Sequence, residues 1–288
     1  MIFYFSGTGN SLYTAKQLGS GQELVNITDC VQQERFSFQL KPDETLGLVC
    51  PILYGGLPAL VLRFLENLRL EGTPAYTFVV KVGDFEHFEE KDYISDQLRE
   101  RKFFPDAVFS LSMPGNCVLL YEIEGEEKES EILAAAEEGI RAIRADILGR
   151  RISEKNISGS LRGMENSSEY KAGMDSSNDL SEKERDFLLR TYDRERSTSN
   201  FHMLDTCIGC GTCMRRCPER AIEMKDGLPV WIKDTCSLCL ACMRCGAIVH
   251  GSKSEGRRRY THPALRKKKA HAHKPAEAPK SSDGSCCH

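Results

Sequence analysis

The sequence predicts an α/β protein: a doubly wound parallel sheet over residues 1–150, followed by a small cysteine-rich α+β unit over 201–250. Three observations carry this expectation. Short apolar runs alternate with amphipathic stretches through the first half, in the order a parallel sheet with crossover helices requires. The first apolar run, MIFYF, passes directly into SGTGNS, a glycine- and hydroxyl-rich loop at a strand-to-helix junction. Finally, eight of the thirteen cysteines fall in two runs between Cys207 and Cys245.

The elements follow in order. MIFYF is a buried strand, and LYTAKQLGS after the loop has helical apolar spacing at Leu12, Ala15 and Leu18. Residues 45–55 give a strand and loop, 57–68 an amphipathic helix, and 76–83 a strand. A helix over 92–102, a strand over 107–116 and an Ala-rich helix over 130–149 complete the sheet domain. SGTGNS suits a phosphate: glycines let backbone N–H groups close on an anion, hydroxyls add donors, and the helix start contributes a positive dipole end. It is neither a Walker A loop, which needs a Lys, nor a complete GxGxxG fingerprint. The ligand site is expected where SGTGNS, LYGGLP (53–58) and SMPGNCVLLY (112–121) converge at the carboxyl ends of the strands.

CIGCGTCMRRCP, from Cys207, has the C-x2-C-x2-C-x3-C-P spacing that holds [4Fe–4S] cubanes, with the fourth cysteine ligating the other cluster of a pair. Soft thiolates suit iron better than carboxylates do. The second run, CSLCLACMRCG, keeps the triad at Cys236, Cys239 and Cys242. Its fourth cysteine, Cys245, comes one residue early, and Gly246 replaces the proline. Crossed ligation gives one cluster Cys207, Cys210, Cys213 and Cys245, and the other Cys236, Cys239, Cys242 and Cys217. The shortened loop then strains the first of these. Two four-thiolate zinc sites are the alternative, although zinc needs no third cysteine at a two-residue gap.

The net charge of −3 is unevenly spread. From residue 251 onward ten Lys or Arg stand against three acids, +7, so residues 1–250 carry −3 − 7 = −10. Residues 251–288 read as a basic low-complexity tail, in which Cys286 and Cys287 have no spacing partner. Residues 151–200 read as a polar linker around one docking helix, with a capping box at Ser181 and Glu184 ahead of Phe187, Leu188 and Tyr192. The cysteine unit has an internal repeat, each run being followed by Ala-Ile (Ala221-Ile222, Ala247-Ile248), and Trp231 between the halves is expected to pack over the clusters. Cys30, Cys50 and Cys117 read as small buried hydrophobes, His87, His202 and His250 as isolated, and 122–131 as a solvated acidic loop and helix start. With no leader or apolar span visible, a cytoplasmic protein without membrane insertion is expected.

On FYFSGTGNS, the P-x-x-x-G-G-x-P segment at 51–58, MPGN at 113–116, the two cysteine runs and GRRRYTHP at 256–263, the chain resembles the flavodoxin–ferredoxin fusion family, from residue 1 to about 263. The resemblance implies a flavodoxin-like sheet domain, a ferredoxin-like domain with two [4Fe–4S] clusters, and FMN. It places Ser6, Thr8 and Ser11 hydroxyls and Gly7, Gly9 and Asn10 amides on the phosphate. It sets Tyr54, Gly55, Gly56 and Asn116 beside the isoalloxazine ring. Three departures stand out: GDFEHF at 83–88 where the family has a glycine pair, Cys117 where a tyrosine commonly follows MPGN, and Cys245. Tyr54 or Phe85 is left to supply a stacking face. The implied function is electron-transfer oxidoreductase chemistry with redox proteins as partners and no catalytic acid–base residues. The alternatives are an oxidoreductase acting on a small organic substrate, a redox-sensing or nucleic-acid-associated iron–sulfur module, and a zinc-stabilised protein.

Overall fold

The structure is a computed structural model that describes residues 1–84, 93–157 and 181–265. Its sheet domain runs β1 (Ile2–Tyr4), α1 (Asn10–Leu18), β2 (Leu24–Asn26), α2 (Ile27–Gln32), β3 (Ser37–Gln39), β4 (Thr45–Pro51), α3 (Ala59–Asn67), β5 (Arg69–Glu71), β6 (Tyr76–Gly83), α4 (Ile94–Glu100), β7 (Ala107–Ser112), α5 (Glu126–Leu148) and β8 (Ser153–Ile157). The cysteine-rich unit follows as α6 (Glu182–Glu195), β9 (Phe201–Met203), α7 (Thr212–Arg216), β10 (Ile222–Lys225), β11 (Leu228–Trp231) and β12 (Ile248–His250).

Six strands form one parallel sheet in the order β2-β1-β4-β6-β7-β8. Counting only those strands along the chain, the order is 2-1-3-4-5-6: the flavodoxin-like doubly wound arrangement with one strand added at its edge. Both faces are covered, so the central strands are apolar on both sides. Phe3, Leu48 and Val79 pack toward α3 and α4, whereas Ile2, Val49 and Val80 pack toward α1 and α5. Phe64 of α3 is fully buried, with its ring 4.9 Å from Phe3 and edge-on to it. The strand order reverses between β1 and β4, and loops gather at the carboxyl ends there.

In the cysteine-rich unit β9 pairs antiparallel with β12 and β10 with β11. Each cysteine run thus feeds a short strand starting at Ile222 or Ile248, as the Ala-Ile repeat anticipates. Helix α6 begins at the expected capping box, the Ser181 Oγ accepting from the Glu184 N–H. Of its three expected anchors only Tyr192 is buried; Phe187 is 67% exposed. Tyr192 ties the domains together, accepting from the Ala59 N–H at 3.0 Å and donating to the Ser237 carbonyl at 3.4 Å.

Two expectations are corrected. Residues 151–200 are not linker throughout, because 153–157 form the edge strand β8; SEKNI lacks an apolar pattern, and pairing with β7 supplies what propensity does not. The tail does not begin at 251. Residues 251–265 are described and fold back on the sheet domain. Arg257 donates to the Val118 carbonyl at 2.7 Å, and Arg258 pairs with Glu129 on α5. Tyr260 donates to Asn10 Oδ1 at 2.7 Å, and the His262 N–H donates to the Thr8 carbonyl at 3.0 Å. A basic composition reads as solvated until its partners are seen. Here they are carbonyls and a carboxylate, and Glu129, placed in a solvated run, is buried by this pairing.

Removing the Phe64 ring should leave a cavity beneath the sheet. Phe64→Ala is expected to destabilise the protein by about 3–5 kcal/mol, measured from urea unfolding with an unchanged slope; a loss below about 1 kcal/mol would contradict this packing.

Candidate functional site

The two cysteine runs share left-handed backbone at the same two positions. In Cys207–Cys213 the residues at the third and fifth positions are Gly209 (φ 66°) and Gly211 (φ 67°). In Cys236–Cys242 the same positions are Leu238 (φ 50°) and Leu240 (φ 57°). Left-handed backbone is free for glycine and costs a leucine about 1–2 kcal/mol. Both leucines hold it because their side chains are buried, 3% and 8% exposed, in the same apolar cluster as Phe201 and Trp231. Gly209 is further constrained: a Cβ there would lie 2.3 Å from the Gly227 carbonyl oxygen of the β10–β11 turn.

The thiols fall into two groups. Burial pushes the Cys213 thiol up, and the Cys245 and Cys207 charges add to this. Burial raises Cys236 to about 11, with Cys217 adding to it; burial also raises Cys239 and Cys242, whose added charges include Cys236 and Cys217. Cys217, Cys236, Cys239 and Cys242 line one cavity together with Trp231, which stacks on Phe201 at 6.1 Å. Cys213 and Cys245 line a second cavity with Arg216 and Arg244, and Cys242 borders both cavities. Backbone N–H groups of Ala221 and Leu238 donate to the Cys217 and Cys236 sulfurs, both at 3.3 Å. Cys210, exposed, is held below its usual range by the Thr212 hydroxyl. Among the described residues no three ligating side chains meet at a single-ion site; the first set of four thiols surrounds a space instead. Bare thiolates buried there would lack a compensating positive charge, and iron ions would supply it.

The glycine loop lies against this unit. Gly7 has no room for a side chain: a Cβ would stand 2.2 Å from the Cys239 carbonyl oxygen. Around the same contact, Gln32 Nε2 donates to the Pro218 carbonyl at 3.0 Å and to that of Cys217 at 3.3 Å, and Arg63 pairs with the buried Glu219 at 2.8 Å.

Two of the three expected loops are joined directly. Asn10 Nδ2 donates to the Pro114 carbonyl at 3.0 Å, and Asn116 Nδ2 to the Thr8 Oγ1 at 2.9 Å. Gly9, at φ 112°, precedes α1 with no side-chain cap, and its N–H donates to the Ser6 Oγ; Ser11, the second residue of the helix, is buried. In the third loop Tyr54 (φ 52°) and Gly55 (φ 74°) turn the chain, and Gly56 packs against the Tyr93 ring. Tyr54 joins the apolar cluster of Cys117, Val118 and Leu119, and its buried hydroxyl has no hydrogen-bond partner among the described residues. Phe85 and His87 lie outside the described residues.

The remaining candidates are structural. His250 is buried, its Nε2 2.7 Å from the Glu195 carbonyl, while His202 is exposed. Cys30 and Cys50 are buried in the sheet core. The covering segment Arg257–Leu265 is the part of the site that composition missed. Leu265 and His262 fill the space a side chain on Gly9 would need, and His262 stacks on Tyr13 at 4.1 Å. Only the GRRRYTHP motif signalled it.

In comparison with known families, residues 202–223 match the 4Fe-4S binding domain. No curated protein and no solved structure matches the chain. The match takes in the first cysteine run and supports an iron–sulfur electron-transfer role for this chain. Among the described residues, no helix is long and apolar enough to cross a membrane.

Cys117, expected as a buried residue, is half-buried, and desolvation pushes its thiol up to about 11. The thiolate is the nucleophile, so a raised value lowers reactivity at neutral pH. At pH 8 the native Cys117 should alkylate about a hundredfold more slowly than an unperturbed thiol, with reactivity recovering only toward pH 11; mass spectrometry of iodoacetamide-treated protein reads this. Rapid labelling at pH 8 would contradict the burial.

Proposed function

We propose that this protein is an electron-transfer iron–sulfur flavoprotein that holds two [4Fe–4S] clusters and FMN and works as a low-potential carrier or as the electron-supplying component of a reductase. The observation that carries the reading is the packing of the second cysteine loop against the glycine loop, backbone to backbone at Cys239 and Gly7. A protein that moves electrons between two kinds of cofactor has to bring their loops together; a zinc-stabilised protein does not.

In this reading Cys207, Cys210, Cys213 and Cys245 hold one cluster, and Cys217, Cys236, Cys239 and Cys242 hold the other. The left-handed backbone repeated in both loops, the nearness of Cys213 to Cys207 and Cys245, and the cavity shared by Cys217, Cys236, Cys239 and Cys242 support this. Ser6, Thr8, Ser11 and the amides of Gly7, Gly9 and Asn10 take the FMN phosphate, with the uncapped start of α1 contributing its positive end. The Tyr54 hydroxyl, without a partner among the described residues, lies beside Cys117 and near Gly55 and Gly56 and fits the ring end of the site, and Asn116 links the two ends. When bound, the clusters supply one-electron steps and the flavin one- or two-electron steps; the protein contributes position, burial and hydrogen bonds to sulfur. Donation from Ala221 and Leu238 to two sulfurs stabilises the reduced, more negative cluster. Trp231 and Phe201 keep water from it.

Two outcomes test the assignments. Cys245→Ser is expected to lose about half the bound iron and leave the signal of the other cluster intact; full iron retention would mean that Cys245 is not a ligand. Flavin-free protein titrated with FMN under argon should quench flavin fluorescence saturably at one site per chain. Thr8→Ala should weaken that binding roughly tenfold or more, the effect of losing one hydrogen bond to a charged group. Absence of saturable FMN binding would overturn the flavin half of the proposal.

A further inference from the structure

The two sets of cysteines differ in what surrounds them. Cys217, Cys236, Cys239 and Cys242 are held between the domains: Cys217 and Cys239 touch the sheet domain through their backbones, and the neighbouring Ser237 carbonyl is bonded to Tyr192. The other set faces outward. Cys210 and Cys245 are exposed, Ile208 is 87% exposed, and Met214 is 37% exposed. Arg215 and Arg216 are exposed beside them on α7, and Arg244 lines the same cavity as Arg216, Cys213 and Cys245. Asp205, just ahead of this run, and Asp226, in the turn that meets Gly209, are exposed carboxylates nearby. Exposed apolar side chains beside three arginines stand out on a body whose residues 1–250 sum to −10.

We propose that this face is the docking surface for an acidic one-electron carrier protein, with Ile208 and Met214 as the apolar contact and Arg215, Arg216 and Arg244 as the charge that steers and orients it. The cluster held by Cys207, Cys210, Cys213 and Cys245 is then the outer port, and the one against Gly7 is the inner relay. One electron crosses the interface per encounter: the carrier loses what the outer cluster gains, or the reverse, and no bond or proton moves. The surrounding negative body repels an acidic carrier elsewhere, so opposite charge at one face selects orientation and raises the encounter rate more than it raises affinity. This inference rests on the iron–sulfur reading above.

The test uses the full-length protein purified anaerobically, with iron measured on every sample, and an oxidised acidic [2Fe–2S] ferredoxin as the probe. Calorimetric titration at about 20 mM salt should show binding that weakens at least tenfold at about 300 mM. The R215E/R216E/R244E variant should bind at least about tenfold more weakly, as should Ile208→Glu, whose exposed side chain can change without disturbing the fold. The R141E/R144E variant on α5 should stay within about twofold of the parent. Iron-replete protein that ignores the probe at low salt, or that loses binding through the α5 variant instead, overturns the docking face and leaves the iron–sulfur reading standing. Parent protein without iron overturns both.

Discussion

The rest of the molecule depends on one close approach, in which the Cys239 carbonyl sits against Gly7 with no space for a methyl group. Gly7 is placed by β1 at the point where the sheet order reverses, and Cys239 by a left-handed loop buried against Phe201 and Trp231. The interactions around the contact are polar and specific, Gln32 to two carbonyls and Arg63 to Glu219, rather than a broad apolar face. Such bonds fix orientation more than they supply stability, and orientation is what electron transfer between fixed centres needs.

The chain then closes over the junction twice. Helix α6 bridges from one side through Tyr192, and residues 257–265 return from the cysteine-rich unit to the loops around Thr8 and Val118. The sheet domain is thus gripped by segments both before and after the cysteine runs. Separating the two domains would break the Gly7 contact together with the Tyr192 and Tyr260 hydrogen bonds, so they are expected to behave as one unit.

The layout was legible where period and spacing are physical necessities. β1, β4, β6 and β7 are continuous apolar runs because both sheet faces are covered, and α1, α3, α4 and α5 follow at helical period. The capping box at Ser181 located α6 to the residue. What escaped was short or polar: β2, β3, β5 and β8 owe their state to a neighbouring strand, which no local pattern encodes. In the site, cysteine spacing located both loops, but spacing does not say that Leu238 and Leu240 take the backbone of Gly209 and Gly211. Only their burial against Phe201 and Trp231 explains it. The basic segment 257–259 was misread because charge describes solvation only when no carbonyl or carboxylate waits for it, and here Val118 and Glu129 do.

The measurement that bears most directly on the central claim is iron, sulfide and flavin content of a single anaerobically purified sample. Two clusters beside one flavin predict about eight iron, eight sulfide and one FMN per chain. Zinc in place of iron, with no flavin, would contradict the account.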